Sequence, residues 1–312
     1  MFPTLDHLLR YCTGWSFGLS IPTFGFFIAL SFWVAYRCFL TEMIRLGIPG
    51  VPPRSRTPHK LMDQLLIACA ISGFIGAIGF SKLEQDYNPA QPLWPQLLRF
   101  NGLNYYGSLL FGALTYLFIM ARNGIRFPKA ADIGSPGMML AYGVGRIGCH
   151  LAGDGDWGLP HNAPAPSWIP AWLWSSHYPH NVLRQGELIS PCNDPAGYCM
   201  QLPYPVYPTP LYEAILCIGF FLFLWSIRKK IKTPGLLFGI YALLNGGERF
   251  FIEFIRVNPR YHFLKWEWSQ AQFFAAGWIL IGIFSIFYFK NSTFTDDLSD
   301  YCHDGSGTRP RN

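Results

Sequence analysis

Long runs of apolar residues constrain this chain more than any other feature. Four segments of about twenty residues contain no Asp, Glu, Lys or Arg, and a helix of that length crosses the hydrocarbon core of a bilayer. Three further apolar segments carry a few charged residues. The predicted spans are Tyr11–Tyr36, Gln64–Ser81, Phe100–Ala121, Ile133–Gly153, Thr209–Ile227, Gly235–Phe254 and Trp268–Phe289. The sequence therefore predicts an all-α polytopic membrane protein with seven transmembrane helices.

The composition supports this interpretation. Charged residues make up 13% of the chain and hydrophobic residues 51%, whereas about 25% of the residues in a soluble domain are charged. These values exclude a disordered protein, a disulfide-dense miniprotein and an ordinary cytosolic enzyme. The net charge of +6 does not indicate nucleic-acid binding, because in a membrane protein the positions of Lys and Arg matter more than their sum.

Basic residues concentrate in the connections after the first, third and fifth predicted spans. If the seven spans alternate, all three connections lie on one side of the membrane, which the excess of Lys and Arg predicts to be cytoplasmic. The N-terminus is then outside and the C-terminus inside. The basic residues are Arg45, Arg54, Arg56, His59 and Lys60, then Arg122, Arg126 and Lys129, then Arg228, Lys229, Lys230 and Lys232.

The spans divide the chain into five predicted regions. They are an interfacial amphipathic helix (1–14), spans one to four (15–153), an external cap rich in Pro and Trp (154–208), spans five to seven (209–290) and a polar cytoplasmic tail (291–312). Cys192 and Cys199 both lie in the cap. An oxidising compartment permits a disulfide there, and two free thiols are the alternative.

Charged residues inside the predicted spans point to a functional site. Each costs at least about 2.5–3.5 kcal/mol in the bilayer and persists where it faces a cavity and a partner. Arg249, Glu253 and Arg256 are spaced i, i+4, i+7 and therefore share one helical face. Arg146 lies in the outer half of the fourth span. Two arginines at one depth favour an anion site over a structural Arg–Glu pair, and their guanidinium groups suit a phospholipid phosphate.

The densest motif is GVGRIGCHLAGDGDWG, from Gly143 to Gly158. Small residues let a helix or a ligand approach the backbone closely, and the glycines near its end predict the end of the fourth span. Asp154 and Asp156 have the spacing of part of a calcium loop, but the remaining ligands of such a loop are missing. The motif therefore predicts no metal site.

Two further positions have a structural explanation that competes with a functional one. Cys149 and His150 are adjacent, so on a helix they face different directions and packing explains them better than a nucleophile–base pair does. Glu213 lies in the first or second turn of the fifth span, where the helix dipole favours an acidic side chain. A structural role explains Glu213 as well as a functional role does.

Three segments match the signature of a known family in order and spacing. GRIGCHLAGDGDWG, YPTPLYE and GGERFFIEFIR resemble the motifs Gly-Arg-x-Gly-Asn-Phe-x-Asn-Gly-Glu…Gly, His-Pro-x-Gln-Leu-Tyr-Glu and Gly-x-x-Arg-Phe-x-x-Glu-Phe-x-Arg of the prolipoprotein diacylglyceryl transferases. The resemblance implies a multi-pass enzyme of the bacterial inner membrane. Such an enzyme moves the diacylglyceryl group of phosphatidylglycerol to the lipobox cysteine thiol of a prelipoprotein signal peptide. The products are a thioether and glycerol phosphate, and no cofactor or nucleic-acid partner is expected.

The resemblance also implies roles for particular residues. The implied catalytic residues are Arg249, Tyr106 and Glu253, and the residues that bind the lipid phosphate or line its site are Arg146, Asp154, Gly158, Asn245 and Cys149. Four of them depart from the family. The family has His at the position of Tyr106, Asn at Cys149, Tyr at Asn245 and Glu at Asp154. We expect Tyr106 to take the role of the His, because its hydroxyl can relay a proton or hydrogen-bond the phosphate.

Three other functions compete with this interpretation. They are a lipid transporter, a catalytically altered paralogue that binds phospholipid without transfer, and a structural protein of an envelope complex. A transporter is expected to show internal symmetry or broken helices near the midplane, whereas the charges here cluster toward the outer face. The missing His favours the paralogue, and only the transferase forms a thioether product.

Overall fold

The computed structural model describes residues 1–16, 18, 20–48, 58–84, 105–192, 194, 196–263 and 266–291. Helices dominate this part of the chain. They are α1 (Leu5–Thr13), α2 (Thr23–Arg45), α3 (Pro58–Glu84), α4 (Tyr105–Arg122), α5 (Phe127–Ala152), α6 (Ala171–Trp174), α7 (Thr209–Ile227), α8 (Leu236–Ile252) and α9 (Gln270–Asn291). A 3₁₀ turn, Glu253–Ile255, follows α8 directly.

Four of the described helices are long and apolar enough to cross a membrane. They are Thr23–Arg45, Lys60–Lys82, Thr209–Ile227 and Gln270–Asn291. A shorter apolar helix covers Gly107–Arg122. Large apolar side chains such as Leu222 and Phe284 remain exposed on these helices, and hydrocarbon rather than water suits such a surface. The chain is therefore a helical, multi-pass membrane protein.

The first predicted span, Tyr11–Tyr36, is wrong at both of its bounds. Helix α1 ends at Thr13, and Gly14 adopts a left-handed φ of 75°. Helix α2 begins only after Pro22 and continues to Arg45. The connection between them is largely apolar, so hydropathy alone merges the two helices, while glycine and proline separate them.

The other predicted spans lie close to observed helices. Helix α7 has the predicted bounds, and α5 ends one residue after Leu151, where Gly153 has a φ of 65°. Helix α5 starts at Phe127, earlier than the predicted Ile133, because hydropathy undervalues its polar first turn. Trp268 belongs to a strand and not to the last helix, which starts at Gln270. The predicted residues 100–104, 292–312, Arg54 and Arg56 lie outside the described residues.

Two small antiparallel strand pairs accompany the helices, and the sequence analysis does not predict them. Strands β1 (Glu187–Leu188) and β2 (Met200–Gln201) pair within the segment between α5 and α7. Strands β3 (Arg260–Phe263) and β4 (Trp266–Ser269) pair between α8 and α9. Cys192 and Cys199 form a disulfide beside β2, so of the two alternatives for these cysteines the disulfide is confirmed.

A half-buried carboxylate, Asp132, and a buried one, Glu42, join the helices at the end where α8 begins. The backbone N–H groups of Gly235 and Phe238 each donate to the Asp132 carboxylate at 2.7 Å, which fixes the N-terminus of α8 to α5. This contact satisfies amides that have no partner within their own helix. Glu42 on α2 lies 2.6 Å from both the Arg45 and the Arg228 guanidinium groups, so it joins α2 to the end of α7.

Helices α3 and α4 approach each other so closely that a glycine is required at their contact. A Cβ atom at Gly76 would lie 2.8 Å from both the Cβ and the Cγ atoms of Phe111. Gly79, one turn later on α3, has no atom within 4 Å of the same position. We therefore expect Gly76→Val to lower the free energy of unfolding by about 1–3 kcal/mol through overpacking.

The measurement is denaturant unfolding of the two variants in detergent micelles. Gly79→Val is the matched control, because it adds the same side chain to the same helix without a clash, and we expect its unfolding curve to overlay that of the unaltered chain. A loss of equal size in both variants would show that helix propensity, and not the close approach, sets the cost.

Candidate active site

Glu213 lies at the centre of a cluster of charged side chains. It is in the second turn of α7, and its carboxylate is 0% exposed. The Arg146 Nε atom on α5 lies 2.5 Å from its Oε2 atom. The Arg249 Nη1 atom on α8 and the Arg256 Nη1 atom, just after the 3₁₀ turn, each lie 3.1 Å from its Oε1 atom. One carboxylate therefore holds three guanidinium groups from three separate elements.

Asp156 is a second bridge between the arginines. Its carboxylate accepts hydrogen bonds from Arg146 and from the Arg256 Nη2 atom, the latter at 2.6 Å. Its main-chain oxygen accepts from the Thr209 hydroxyl at 2.7 Å, which fixes it to the first turn of α7. The Asp156 side chain is 34% exposed, whereas the Glu213 side chain is fully buried. Asp156 thus forms the accessible side of the cluster.

Glu253 completes the cluster. Its Oε2 atom lies 2.9 Å from the Arg249 Nη2 atom and 4.0 Å from the Arg256 Nε atom. Asn258 donates a short hydrogen bond to its other oxygen. Three carboxylates and three guanidinium groups are thus in contact, so among the described residues their charges cancel.

The two aspartates of the glycine-rich motif have opposite electrostatic environments. Burial alone would raise the pKa of the Asp156 carboxyl, but the charges of Arg146 and Arg256 outweigh burial and hold this pKa below its ordinary value. The pKa of Asp154 is raised, first because the carboxyl is buried and second because the Asp156 charge repels it. Asp156 is therefore the anionic partner of the arginines.

A metal ion does not fit this arrangement, although the geometry brings three potential ligands together. Ligand atoms of Cys149, Asp154 and Asp156 lie within 4.8 Å of one another. Both Asp156 oxygens, however, already accept from guanidinium groups. A cation bound there would also meet the charge of Arg146, whose Nη1 atom lies 3.8 Å from the Cys149 sulfur.

The structure brings together several residues that the sequence analysis proposes for the site. Arg146, Arg249 and Glu253 meet in the cluster described above, and the buried Cys149 lies beside Arg146. His150 instead contacts the Tyr178 hydroxyl at 3.2 Å. The prediction that Cys149 and His150 face different directions is therefore confirmed.

Three further residues proposed for the site are Asp154, Asn245 and Tyr106. Asp154 accepts a hydrogen bond at 3.4 Å from the backbone N–H of Asp156, and none of the described contacts joins it to an arginine by a hydrogen bond. Asn245 is half-buried, one helical turn before Arg249. Tyr106 is the second residue of α4, and its side chain lies outside the described residues.

Gly158 has a structural reason to be glycine. It forms a backbone bridge with Arg256 and donates its N–H to the Tyr207 carbonyl at 2.9 Å. A Cβ atom at Gly158 would lie 2.5 Å from the Ile255 carbonyl oxygen. The close approach of these backbones holds Arg256 next to Asp156.

Sequence reasoning missed three residues of the cluster: Glu213, Asp156 and Arg256. The spacing predicts Arg256 on the same helical face as Arg249, but α8 ends at Ile252 and Arg256 follows the 3₁₀ turn in extended backbone, so that prediction is wrong although the two side chains meet. The signal for Glu213 was its place in YPTPLYE, but the helix dipole explained it equally well. The resemblance places Asp154 at the position of the family's Glu and implies no role for Asp156.

The family model described as prolipoprotein diacylglyceryl transferase matches residues 13–288. The chain belongs to the prolipoprotein diacylglyceryl transferase family. The resemblance seen in its motifs is therefore confirmed, and Arg146, Glu213 and Arg249 all lie within the matched part of this family member.

Individual relatives carry the same description. A protein of Leptospira interrogans serogroup Icterohaemorrhagiae, named phosphatidylglycerol–prolipoprotein diacylglyceryl transferase, is 31% identical over 224 residues, which are 69% of this chain and 61% of that protein. The match thus spans about three fifths of the Leptospira protein. A relative of the same name from Clostridium tetani is 30% identical over 274 residues, 86% of this chain and 93% of that protein. A relative from Clostridium perfringens is 29% identical over 255 residues, 81% and 85% of the two chains.

The ion pairs of Glu213 lead to a stability prediction. Glu213→Ala leaves three guanidinium groups, one buried and two half-buried, facing one another, and removing one partner of a buried ion pair costs about 3–5 kcal/mol. We expect the free energy of unfolding in detergent micelles to fall by at least about 3 kcal/mol. Denaturant titration followed by circular dichroism measures it.

Glu187→Ala is the matched control, because Glu187 is an exposed carboxylate on β1. It is expected to change the free energy of unfolding by less than about 0.5 kcal/mol. If Glu213→Ala were no more destabilising than this control, the contacts of Glu213 would not hold the three elements together.

Proposed function

We propose that this family member moves the diacylglyceryl group of phosphatidylglycerol to the lipobox cysteine thiol of prelipoprotein signal peptides. A thioether forms and glycerol phosphate leaves. One observation carries the proposal: three arginines from separate elements meet at one end of the helical bundle, behind the half-exposed Asp156 carboxylate. Guanidinium groups pair well with phosphate, and a lipid phosphate lies at the corresponding depth of a membrane.

The proposal includes an arrangement in the membrane. Seven spans cross a bacterial inner membrane, with the N-terminus and the cap of residues 154–208 in the periplasm and the tail of residues 291–312 in the cytoplasm. The arginine cluster is next to the segment between α5 and α7, while Arg45 and Arg228 lie at the other end of the bundle. A cytoplasmic excess of basic residues supports this orientation.

The proposed roles follow the positions of the side chains. Arg146 holds the lipid phosphate, and it reaches the accessible side of the cluster through its contact with Asp156. Arg249 stabilises the phosphate or the incoming thiol, and Glu253 orients Arg249 at 2.9 Å. Tyr106 acts in place of the family's His. The other proposed lining residues are Asp154, Gly158, Asn245 and Cys149.

The chemistry requires a nucleophile and a stabilised leaving group. A cysteine thiol has a pKa near 8.5, so a few per cent is already thiolate near neutrality, and a neighbouring guanidinium favours the thiolate further. The leaving group is a phosphate ester whose developing charge an arginine stabilises as the carbon–oxygen bond breaks. The proposed reaction uses neither a metal ion nor a nucleic acid.

A second candidate function is binding of phospholipid without transfer. The substitutions at two family positions, Tyr106 for His and Cys149 for Asn, favour it, because they replace a stronger base and a better hydrogen-bond donor. The two candidates differ in their product, since only the transferase releases glycerol phosphate.

Removing Arg146 tests the proposed phosphate site. With a purified prelipoprotein in phosphatidylglycerol vesicles, we expect Arg146→Gln to lower the initial rate of thioether formation by about a hundredfold or more, because a charge-stabilising group at the reaction centre is lost. Mass spectrometry of the acceptor peptide gives the rate. Arg228→Gln is the matched control, because Arg228 is a half-buried arginine, like Arg146, and pairs with Glu42 at 2.6 Å at the other end of the bundle.

We expect Arg228→Gln to retain the rate within about threefold when its amount of folded protein is taken into account. Equal rates in the Arg146 variant and the unaltered chain would refute the phosphate assignment. An unaltered chain that binds phosphatidylglycerol and yields no thioether would favour binding without transfer.

A substitution at Cys149 is expected to raise the rate of transfer instead of lowering it. A thiol is a weak hydrogen-bond donor, whereas an amide is a good one, and Cys149 lies beside Arg146. A gained hydrogen bond of about 0.5–1.5 kcal/mol corresponds to roughly a two- to tenfold rise in kcat/KM for Cys149→Asn. Cys149→Ala, which removes the thiol and adds no donor, should stay within about twofold. If Cys149→Asn were slower than the unaltered chain, Cys149 would not belong to the phosphate site.

A further inference from the structure

Glu248 is a buried carboxyl group to which the site described above assigns no role. It lies on α8 immediately before Arg249, and it is 5% exposed. Neither of its carboxyl oxygens has a hydrogen-bond partner among the residues that the structure describes. Buried polar groups normally have a partner. Glu42, Glu213 and Glu253 are equally buried, and each of them lies within ion-pair distance of at least one arginine.

The surroundings of Glu248 belong to the arginine cluster. From α5 it is faced by Tyr142 and Arg146, and from α7 by Glu213 and Cys217. Arg249 on its own helix and Arg256 beyond the 3₁₀ turn also interact with its charge. Helix α9 packs against α8 as well, but its basic residue, Lys290, is near the N-terminus of α8, where Phe289 contacts Gly235.

The charges of the cluster are balanced without Glu248. Arg146, Arg249 and Arg256 are matched by the carboxylates of Glu213, Asp156 and Glu253. An ionised Glu248 would add a fourth negative charge, buried and without a hydrogen bond. Such a group normally takes up a proton rather than remain charged. The geometry therefore favours the neutral acid at this position.

The same balance of charges limits how much of the leaving group's charge the cluster can stabilise during the proposed transfer. The three guanidinium groups already share their charge with carboxylates when the lipid arrives, so the arginine that holds the phosphate neutralises only part of the charge that develops on the leaving oxygen. A proton transferred to that oxygen neutralises the charge that remains. The Tyr142 hydroxyl accepts a hydrogen bond from the Arg146 Nη2 atom at 3.2 Å and interacts electrostatically with Glu248, so it is a group through which a proton can pass from Glu248 to the arginine cluster.

We propose that Glu248 is a neutral carboxylic acid in the resting protein and serves as the proton store of the transfer reaction. This inference rests on the proposed function. As the sulfur–carbon bond forms, the carbon–oxygen bond to the phosphate breaks and its electron pair stays on the phosphate oxygen. That oxygen receives the proton of Glu248, directly or through the Tyr142 hydroxyl. Glu248 then takes up one proton from water, equal to the proton that the thiol released to water before its attack, so the net result is transfer of one proton from thiol to glycerol phosphate.

The first test is the dependence of the rate on pH. The unaltered chain should show a bell-shaped profile, because the thiol must lose a proton and Glu248 must hold one. Glu248→Gln keeps the shape and the neutral charge but has no acidic proton. We expect this variant to lose about a hundredfold in kcat, with little change in KM for phosphatidylglycerol vesicles, and to lack the alkaline decline.

Glu42→Gln is the matched control for this test. It alters a carboxylate of equal burial at the opposite end of the bundle, and it should retain the bell-shaped profile of the unaltered chain. If Glu248→Gln keeps a rate within about twofold and the same bell shape, Glu248 has a structural role only and the inference is overturned.

The second test does not depend on activity. At neutral pH the infrared spectrum of the unaltered chain should contain the carbonyl stretch of a protonated carboxylic acid, and this band should disappear in Glu248→Gln. Its persistence in the variant, or its absence from the unaltered chain, overturns the inference. An unaltered chain that forms no thioether would instead refute the proposed function, whatever the infrared spectrum shows, and the proton store would then have no reaction to serve.

Discussion

The contact of one carboxylate with three arginines constrains the rest of this molecule. Glu213 is fully buried in a bundle of apolar helices, and hydrocarbon offers no water to replace a missing partner. Its partners come from α5, from α8 and from the residues after the 3₁₀ turn. These elements therefore have to converge, because any other packing of the same helices would leave buried charge without compensation.

Local features of the sequence were sufficient to predict much of this arrangement. The length of the apolar runs gives α7 its bounds, and the helical spacing of Arg249 and Glu253 predicts their shared face, where the two side chains lie 2.9 Å apart. The depth of Arg146 in its predicted span likewise predicts that two arginines meet. All of these inferences depend only on helical geometry and on the cost of burying charge.

The features that were missed depend on contacts between distant segments. The role of Glu213 appears only when α7 packs between the elements that carry its partners, because within α7 itself the side chain has no arginine nearby. The choice between Asp154 and Asp156 depends on the path of a turn, where Gly153 and Gly155 have positive φ values, and helical periodicity contains no information about that path. The break before α2 depends on Pro22 and not on hydropathy.

Asp132 has a consequence for ligand recognition. It holds the first amides of α8 against α5 at one end of the two helices, while Asp156 and Gly158 hold the segment after α8 at the other end. The spacing of the two helices is thereby fixed before any lipid arrives. Such preorganisation would spare the headgroup of the proposed lipid substrate most of the entropy of ordering its receptor.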